Sequence, residues 1–450
     1  MTILLESLTV FQLTALGFAL RQKSNPADVT SRHSRLHLRS DRGVFCLPVC
    51  GSAMRGFSCL LLGTFLLSGC GRSVPHTTSE IQRAVDAGGT IVFPAGTYEL
   101  TQTIVFKKSN TVIQGAGPST VFVFKPSLPQ VQCVNDRAFT TSCDVFFTPG
   151  RHILGPIAIG DGAFTAADDV SDLRTGDWLI VEEIDRGAGD VVVIDWAQVA
   201  FTSGNNVHLQ TPFRTAFPNA RAWDPHHSGL GFYRSPQVIE GTQFRDFSLV
   251  VPDSGQGAAG ISVFAGKHTL IDNVKVQDAN GQALYSYMAK DLTVQNSYGK
   301  CDQTLNEFAA TVDLKLFGNT FIAGNDAGVG LDFGTGFFEV SGNEIPSSVD
   351  SGLYLLYGIH DGTVTNNSLG FVNSSGTSNS GNAVGIIARG TQRVNIANND
   401  LTGGAGSGSV GLTIGPEYGV DVPIPSFGNT IAPNTFGMQW GVDYDPTNAP

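Results

Sequence analysis

The sequence predicts an all-β chain wound as a parallel β-helix, a solenoid of short stacked strands. A four-residue phrase ending in asparagine recurs seven times, at spacings of 23, 23, 24, 24, 32 and 30 residues. A fixed period in the twenties indicates one structural coil per repeat. No segment between the phrases has the pattern of a crossover helix. The seven asparagines are Asn273, Asn296, Asn319, Asn343, Asn367, Asn399 and Asn429.

The residues inside each repeat favour strands that meet at sharp corners. Short runs in which apolar residues alternate, such as 274–276 and 338–340, are typical of strands. Gly, Asn and Asp between the runs supply left-handed corners. The strands then stack on the next coil at roughly 4.8 Å. A β-sandwich of antiparallel hairpins would require hairpin turns of two to five residues and no stacked asparagines, so we prefer the solenoid.

The N-terminal region resembles an export signal. Residues 1–53 show no period and precede a second methionine, so we expect them to be an untranslated upstream segment. Residues 54–69 have a basic start and a short apolar run, and they lead into Leu-Ser-Gly-Cys, which resembles the lipobox of a bacterial lipoprotein. Cys70 would then carry the lipid anchor, and residues 70–77 would be a linker. The run is too short to span a bilayer, and a plain secretory signal is the alternative.

Export places the protein in the bacterial cell envelope, as an outer-membrane or periplasmic lipoprotein. In that oxidising compartment Cys133 and Cys143 could form a disulfide, and two buried free thiols are the alternative. Cys301 has no obvious partner. No cysteine spacing indicates zinc, so we predict no metal site of that kind.

Residues 78–435 are expected to form the solenoid, covered at both ends. A short amphipathic helix with Ser79 as its N-cap and Gly88 at its end would cover the first coil. The period is interrupted at about 170–217, where short strands predict a small inserted antiparallel β module that could wall one side of a groove. The aromatic and proline-rich tail, 436–450, would cover the last coil.

The N-terminal coils also carry a family resemblance. The predicted helix is followed by Gly-Gly-Thr-Ile-Val-Phe-Pro-Ala-Gly-Thr-Tyr at 88–98 and by Val-Ile-Gln-Gly-Ala-Gly at 112–117. This order resembles the entry of the pectate-lyase-like superfamily, which includes pectate lyases, polygalacturonases, alginate epimerases and phage tailspikes. With the asparagine phrases, the resemblance covers most of 78–431. It implies a right-handed β-helix that meets a polysaccharide in a groove on one sheet.

The resemblance transfers no catalytic residue. The sequence lacks the ordered set of Asn-Thr-Asp, Asp-Asp, Gly-His-Gly and Arg-Ile-Lys that polygalacturonases show. The alginate-epimerase phrase Asp-Pro-His-Asp is matched only loosely by Asp-Pro-His-His at 224–227. Site residues must therefore be chosen from their predicted places on the coils.

The implied groove lies on the strand that opens each coil. If the apolar residue after each entering Gly or Ala points inward, its neighbours point outward. The coil around 301–311 fits the period poorly, and Asp302 and Glu307 are its candidates. We expect Tyr285 and Tyr287 to stack on sugar rings. The outward residues are predicted to be Ser262, Tyr285, Asp332, Tyr354, Ile387 and Thr413, then Phe264, Tyr287, Leu356 and Arg389.

Two chemistries could use these side chains. Hydrolysis needs two carboxylates, and Asp332 with either Asp350 or Asp326 would supply them. A lyase or epimerase acting on a uronate needs a base and a cation, and Tyr354, His360 and Arg389 suit those roles, with or without Ca²⁺. Two further residues are candidates for substrate binding. One is Asp326, and the other is Lys290, which belongs to a column of charged residues at the next corner.

These observations predict a polysaccharide-acting envelope protein. A formal charge of −12 argues against nucleic acid as a partner, since phosphate binding needs clustered cations. The enzymatic hypothesis is a lyase, hydrolase or epimerase of a uronate-containing or plant-type glycan. The alternative is a non-catalytic carbohydrate-binding or adhesive lipoprotein. A monomer and a trimer are both compatible with the sequence.

Overall fold

The computed structural model describes most of the chain after residue 73. It covers 74–444 except for 127–136, 143–149, 186–189, 225–227, 236–237, 253–257, 303, 325, 350, 373–383, 404–409, 419 and 438–439. Cys70, Cys133, Cys143 and Asp350 lie outside the described residues, as do the predicted export signal and the segment before it. None of the described helices is long and apolar enough to cross a membrane.

The described residues form a right-handed parallel β-helix, as predicted, with one helix at its start. Helix α1 spans Thr78–Ala87. Each coil contributes a strand to a ten-stranded parallel sheet, the entry sheet, at the start of the coil. The entry sheet contains β3 (Ile104–Val105), β6 (Arg137–Thr140), β15 (Ala259–Phe264), β17 (Leu284–Tyr287), β20 (Asn306–Ala309), β23 (Val329–Asp332), β26 (Ser351–Leu355), β29 (Val384–Arg389), β32 (Val410–Gly415) and β35 (Trp440–Tyr444).

The rest of each coil runs through a parallel sheet of 19 strands in two columns. The first column contains β1 (Thr90–Val92), β4 (Val112–Gln114), β13 (Ile239–Glu240), β14 (Gln243–Val250), β16 (Gly266–Ala279), β18 (Lys290–Gln295), β21 (Lys315–Phe317), β24 (Glu339–Ser341), β27 (His360–Thr365), β30 (Gln392–Ala397) and β33 (Thr430–Ile431). The second column contains β2 (Gly96–Leu100), β5 (Thr120–Phe124), β19 (Tyr298–Cys301), β22 (Thr320–Ala323), β25 (Glu344–Ser348), β28 (Ser368–Val372), β31 (Asp400–Leu401) and β34 (Thr435–Phe436). Strands β14 and β16 continue through both columns.

The interruption of the period is a closed antiparallel barrel. It is larger than the predicted module at 170–217 and has the strand order β10-β11-β8-β7-β12-β9. Its strands are β7 (Arg151–Leu154), β8 (Ala163–Ala166), β9 (Trp178–Asp185), β10 (Asp190–Ser203), β11 (Asn206–Leu209) and β12 (Gly229–Arg234). The barrel has its own buried core, which includes Phe217 and Phe232.

Both ends of the solenoid differ in detail from the sequence prediction. Thr77, rather than Ser79, caps α1, because its hydroxyl and the Glu80 side chain bond each other's backbone amides in a capping box. Ile81 and Val85 of this helix are fully buried in the solenoid core. At the other end, β35 adds a strand to the entry sheet beside β32, so part of the predicted tail continues the coil.

A buried ladder of asparagine side chains runs along the corner between the two columns. Each amide nitrogen donates to the amide oxygen of the next member at 2.9–3.0 Å. Asn273, Asn296 and Asn429 lie outside this ladder. The first two occupy the left-handed position one residue earlier (φ 52° and 50°), and Asn434 takes the place expected for Asn429. The ladder consists of Asn319, Asn343, Asn367, Asn399 and Asn434.

Replacing Asn343 with alanine should lower the free energy of unfolding by about 2–4 kcal/mol. The change leaves the buried amide of Asn319 and the carbonyl of Leu316 without the partners that Asn343 gives them. Chemical denaturation would measure the loss. Asn296→Gly is the matched control, because glycine already occupies this corner at Gly318 and Gly342, and it should change stability by less than about 0.5 kcal/mol. Equal losses in both variants would contradict a special role for the ladder.

The barrel packs on the corner that follows the entry sheet. Ile180, Ile194 and Trp196 of the barrel form one buried cluster with Met288 and Ala310 of the coils.

Two cations also contact aromatic rings across this interface. Lys267 lies 4.0 Å from the ring centroid of Trp178, and Arg214 lies 4.1 Å from that of Phe337. The partly buried Tyr287 and Phe333 pack against the same cluster. The barrel therefore borders the outer face of the entry sheet along one side.

A buried ionic group joins the barrel to a late loop of the solenoid. Arg221 contacts Asp185 at 2.6 Å and Glu183 at 3.1 Å, and it donates to the carbonyl of Val422 at 3.1 Å. The Asp185 carboxylate also accepts from the backbone amides of Asp421 and Val422. These contacts hold a late hairpin loop, described at 416–418 and 420–425, which is closed by paired hydrogen bonds between residues 417 and 424.

Candidate functional site

Two rows of side chains line the outer face of the entry sheet. Their neighbours Ile261, Leu284 and Leu353 are fully buried in the core, so the alternating positions face away from it. The first row is Ser262, Tyr285, Glu307, Gly330, Tyr354, Ile387 and Thr413. The second row is Phe264, Tyr287, Ala309, Asp332, Leu356 and Arg389.

The predicted alignment of one coil was wrong by two residues. Val329, rather than Leu331, pairs with Leu353 of the next strand. Asp332 therefore lies in the second row instead of the first. Glu307, which the sequence left as one of two candidates in an irregular coil, occupies the first row beside Tyr285.

Glu307 and Asp332 are neighbouring carboxylates on adjacent strands. One strand spacing and two residues of rise separate their Cα atoms, which amounts to about 8 Å. The Asp332 carboxylate folds back over Gly330, since a Cβ atom at this glycine would lie 2.9 Å from Oδ2. It would also lie 2.2 Å from a methyl carbon of Leu305. Glycine thus leaves a notch in the first row, and the Asp332 side chain occupies it.

The two carboxylates differ in their surroundings. Asp332 is only 7% exposed, whereas Glu307 is half-buried. The Gln282 side chain donates from Nε2 to Oε2 of Glu307 at 3.1 Å and so fixes the direction of that carboxylate. A residue from the corner between two coils therefore orients Glu307, whereas Asp332 is buried over Gly330.

An aromatic platform lies on the N-terminal side of the carboxylates. The Phe264 ring is 5.3 Å from Tyr285 and 6.2 Å from Tyr287 between centroids. The buried Arg137 guanidinium lies 4.0 Å from the Phe264 centroid and 5.9 Å from that of Tyr285. Burial lowers the pKa of Arg137 to about 10, and the neighbouring Tyr285 opposes this shift. At neutral pH the platform therefore carries a positive charge beneath its rings.

A cation and a second stack lie on the C-terminal side. Tyr354 follows Gly330 in the first row and is half-buried, and Arg389 is exposed two strands beyond Asp332. Tyr357 stacks on Phe333 with centroids 5.1 Å apart. Burial, with smaller contributions from Glu417 and Asp332 and against the opposing effect of Arg389, raises the pKa of Tyr357 to about 12. Tyr357 thus stays a neutral phenol among charged neighbours.

His360 lies away from this face, around the corner under the barrel. It begins β27, is only 3% exposed, and packs edge-on against Phe337 with centroids 5.3 Å apart. Its Nδ1 is 2.9 Å from Oδ2 of Asp361. Burial would raise the pKa of Asp361, but hydrogen bonds from Arg393 and His360 hold it well below its ordinary value. The structure therefore places His360 at a different corner from Tyr354 and Arg389, with which the sequence hypothesis grouped it for a lyase or epimerase.

Lys290 is also held beneath the barrel instead of facing the groove. Its ammonium lies 2.9 Å from Asp313, whose carboxylate binds the two terminal nitrogens of Arg214 at 2.7 and 2.9 Å. Burial would raise the pKa of Asp313, but these cations lower it. Lys290 thus belongs to the interface between barrel and coils. At this position it does not face the groove where the sequence predicted that it would contact substrate.

The remaining predicted residues divide between the two ends of β23. Asp326 precedes the strand and its Oδ1 accepts from the next backbone amide at 2.8 Å, while Asp332 ends the strand. Asp350, the other predicted partner of Asp332, lies outside the described residues. Within the described ranges, no group of three or more His, Cys, Asp or Glu side chains is arranged to hold a metal ion.

Several groups of the site were not predicted from the sequence. Arg137 precedes the regular asparagine phrases, and Glu417 belongs to the loop that the barrel holds. Gln282 lies in a corner between two coils. A strand register was needed to find these groups. The alternation Asn306-Glu307-Phe308 gave one available signal, since Phe308 is buried and its preceding neighbour must face outward.

Comparisons with known proteins agree with the fold. Residues 205–369 match a family model described as "Right handed beta helix region". That match covers the end of the barrel and the central coils. A search of curated protein sequences finds no match.

Solved structures with similar coordinates are β-helix proteins of low sequence identity. The tailspike protein gp49 from Pseudomonas phage LKA1 is 14% identical, with a TM-score of 0.51 over 82% of this chain and 71% of the tailspike. The alginate lyase from Paenibacillus sp. str. FPU-7 is 11% identical, with a TM-score of 0.42 over 82% and 98% of the two chains. The Azotobacter vinelandii mannuronan C-5 epimerase AlgE4 A-module is 13% identical, with a TM-score of 0.40 over 84% and 97%. At 14% identity the likeness to the tailspike concerns the fold alone.

Proposed function

We propose that the outer face of the entry sheet binds a polysaccharide and hydrolyses it, with Glu307 and Asp332 as the acid–base pair. The observation that carries this proposal is the placement of these two carboxylates on adjacent strands, on either side of the notch at Gly330. In the first row, Glu307 and Gly330 lie between Tyr285 and Tyr354. A glycoside hydrolase needs one carboxyl to protonate the leaving oxygen and one to act as base or nucleophile on the other side of the sugar.

The shape of the face suits an extended chain. The rows run across seven or more parallel strands, and the strands are about 4.8 Å apart. The barrel borders the face along one side. Tyr285 and Tyr287 offer half-buried rings next to the carboxylates, and Arg389 supplies a cation beyond them. A glycan lying along the rows would contact the platform, the acid pair and the cation in turn.

A second candidate is elimination or epimerisation of a uronate. The observation that favours it is Arg389, an exposed cation two strands from Asp332, with Tyr354 on the strand between them. The guanidinium would neutralise the sugar carboxylate, and the phenol of Tyr354 would serve in proton transfer at C5. Binding without chemistry would use the aromatic platform alone.

A polysaccharide panel separates these functions. Purified protein is incubated with neutral, plant-type and uronate-containing glycans, and three signals are followed: new reducing ends, absorbance of unsaturated uronates and changes in uronate composition. Hydrolysis gives reducing ends without unsaturated products. Elimination gives both, and epimerisation gives only the change in composition. Saturable binding with none of these signals would replace the enzymatic proposal by the binding one.

Replacing Tyr285 with alanine should weaken binding of the responsive glycan by about 3- to 10-fold. The change removes a ring on which a sugar face packs, and aromatic contacts of this kind contribute about 0.5–1.5 kcal/mol. Isothermal titration with the glycan measures the effect. Phe201→Ala is the matched control, because this ring is 54% exposed on the barrel and stacks on His208, outside the entry sheet. Equal affinity in Tyr285→Ala and the unchanged protein would remove the platform from the binding site.

A further inference from the structure

A buried cation without a carboxylate partner lies at the N-terminal end of the entry-sheet face. Arg137 begins β6 and is only 7% exposed, and it forms no ion pair among the described residues. Buried charges are ordinarily paired, because the loss of their hydration is costly. The chain follows that rule at Arg221, which is equally buried and contacts both Asp185 and Glu183. Arg137 therefore lacks the anion that a buried guanidinium normally has.

Aromatic rings, instead of carboxylates, surround the Arg137 guanidinium. Its central carbon lies 4.0 Å from the ring centroid of Phe264 and 5.9 Å from that of Tyr285. Contacts of a cation with ring faces recover part of the hydration that burial removes, but they leave the net charge in place. The Nη1 atom is enclosed and has no hydrogen-bond partner among the described residues. What Arg137 gives to the platform is therefore its charge.

This charge acts on any group that lies on the platform. In a poorly hydrated site, charge interactions extend over several ångströms and need no direct hydrogen bond. Tyr285 and Tyr287 are half-buried, so a ligand can reach the platform from the outer face. Glu307 lies two strands beyond Phe264, about 10 Å away along the face. An anion at the Phe264 end of the platform is thus nearer to the cation than to the carboxylate.

The rest of the molecule gives an anionic ligand little reason to bind. The formal charge of the chain is −12, so an acidic glycan is repelled by most of the surface. A single cation in a poorly hydrated setting changes this locally, because water and salt screen it less than they screen an exposed lysine. The platform is therefore a place on the entry-sheet face where an acidic sugar is stabilised.

We propose, on the basis of the glycan-binding face proposed above, that Arg137 selects a uronate-containing polysaccharide by stabilising a sugar carboxylate at the Phe264 end of the platform. The bound carboxylate supplies the counter-charge that the fold does not. Arg137 is a specificity-determining residue in this arrangement, because it lies apart from Glu307 and Asp332 and takes no part in bond cleavage.

The test measures binding without turnover, in the full chain carrying Asp332→Asn. Isothermal titration compares oligosaccharides of polygalacturonate, mannuronan and hyaluronan with their carboxyl-reduced forms, in which each carboxylate has become a neutral hydroxymethyl group. At least one acidic oligosaccharide should bind about 10-fold more tightly than its neutral form, the effect of one charge interaction at a partly buried site. Adding Arg137→Met should remove this preference by weakening only the acidic form, and Arg137→Lys should keep most of it.

Thermal unfolding separates selectivity from a structural role. Methionine fills a similar volume and removes an unpaired buried charge, so Arg137→Met should leave the Tm unchanged or raise it. Lys125→Met is the control matched for net charge. Its side chain is 56% exposed and pairs with Glu99, away from the entry sheet, so both affinities should stay the same.

Three results would overturn the proposal: no acidic oligosaccharide bound more tightly than its neutral form, a preference that persists in Arg137→Met, or an equal loss of preference in Lys125→Met. Release of reducing ends by the unchanged protein reports on the glycosidase separately. A preference for carboxylates without cleavage removes the hydrolytic function and leaves the selectivity of Arg137 in place. Cleavage of a glycan without any such preference does the reverse.

Discussion

Asp332→Asn is expected to lower kcat on the responsive polysaccharide by about 10²- to 10⁴-fold, the range lost when a positioned acid–base group is removed. Asparagine keeps the size of the side chain and fits the space over Gly330, so the fold and glycan affinity should be retained. Glu307→Gln should give a loss of the same order, because both carboxyls are needed in one reaction. Initial rates at saturating glycan measure both variants.

The double variant provides a sharper test than either single change. Groups that act as one unit are not additive, so Asp332→Asn/Glu307→Gln should be about as inactive as the worse single variant. Asp326→Asn is the matched control at the opposite end of β23, and it should keep kcat within about twofold. Full activity in Asp332→Asn, or equal losses in the control, would rule out the assigned pair.

Arg221→Met should lower the free energy of unfolding by about 3–5 kcal/mol. It removes the cation between Asp185 and Glu183, both fully buried, and uncompensated buried charge is strongly destabilising. It also removes the hydrogen bond to the Val422 carbonyl. Denaturant unfolding followed by circular dichroism gives the difference between the variant and the unchanged protein.

Two further variants separate charge burial from lost packing. Adding Asp185→Asn and Glu183→Gln to Arg221→Met removes the unpaired charges and should recover part of the loss. Lys125→Met breaks the exposed pair with Glu99, whose side chains are each 56% exposed, and should cost less than about 1 kcal/mol. If Arg221→Met is no more destabilising than Lys125→Met, the buried group does not hold the barrel to the loop.

The solenoid could be predicted from the sequence because its signal is local and repeated. Each corner needs a residue that tolerates a left-handed backbone, so Asn and Gly recur there whatever the neighbouring coils contain. The same property explains why Asn273 and Asn296 were wrongly grouped with the asparagines of the ladder. Asn273 and Asn296 sit on the left-handed position, whereas Asn319 and Asn343 follow a glycine at that position, Gly318 or Gly342. Spacing alone does not distinguish these two uses of asparagine.

The candidate site was less predictable because it depends on pairing between coils and on the barrel. Val329 and Leu331 both follow a glycine, so the sequence alone did not show which of them pairs with Leu353, and Asp332 was assigned to the wrong row. The pairing of the neighbouring strands also places Glu307 beside Gly330. His360 and Lys290 occupy the corner positions that the repeat predicts, but the barrel covers this corner. Nothing in the sequence near these residues indicates that contact. The aromatic face itself was foreseen, since Tyr285 and Tyr287 obey the simple alternation of a strand.

The contact between Arg221 and the Val422 carbonyl joins residues 201 positions apart. Ordinary solenoids behave as one-dimensional stacks, in which terminal repeats can fray while the others persist. Here the Arg221–Val422 contact links the barrel to the late loop across the coils between them. Unfolding any of these coils would break that contact as well, so we expect them to unfold together in one cooperative transition.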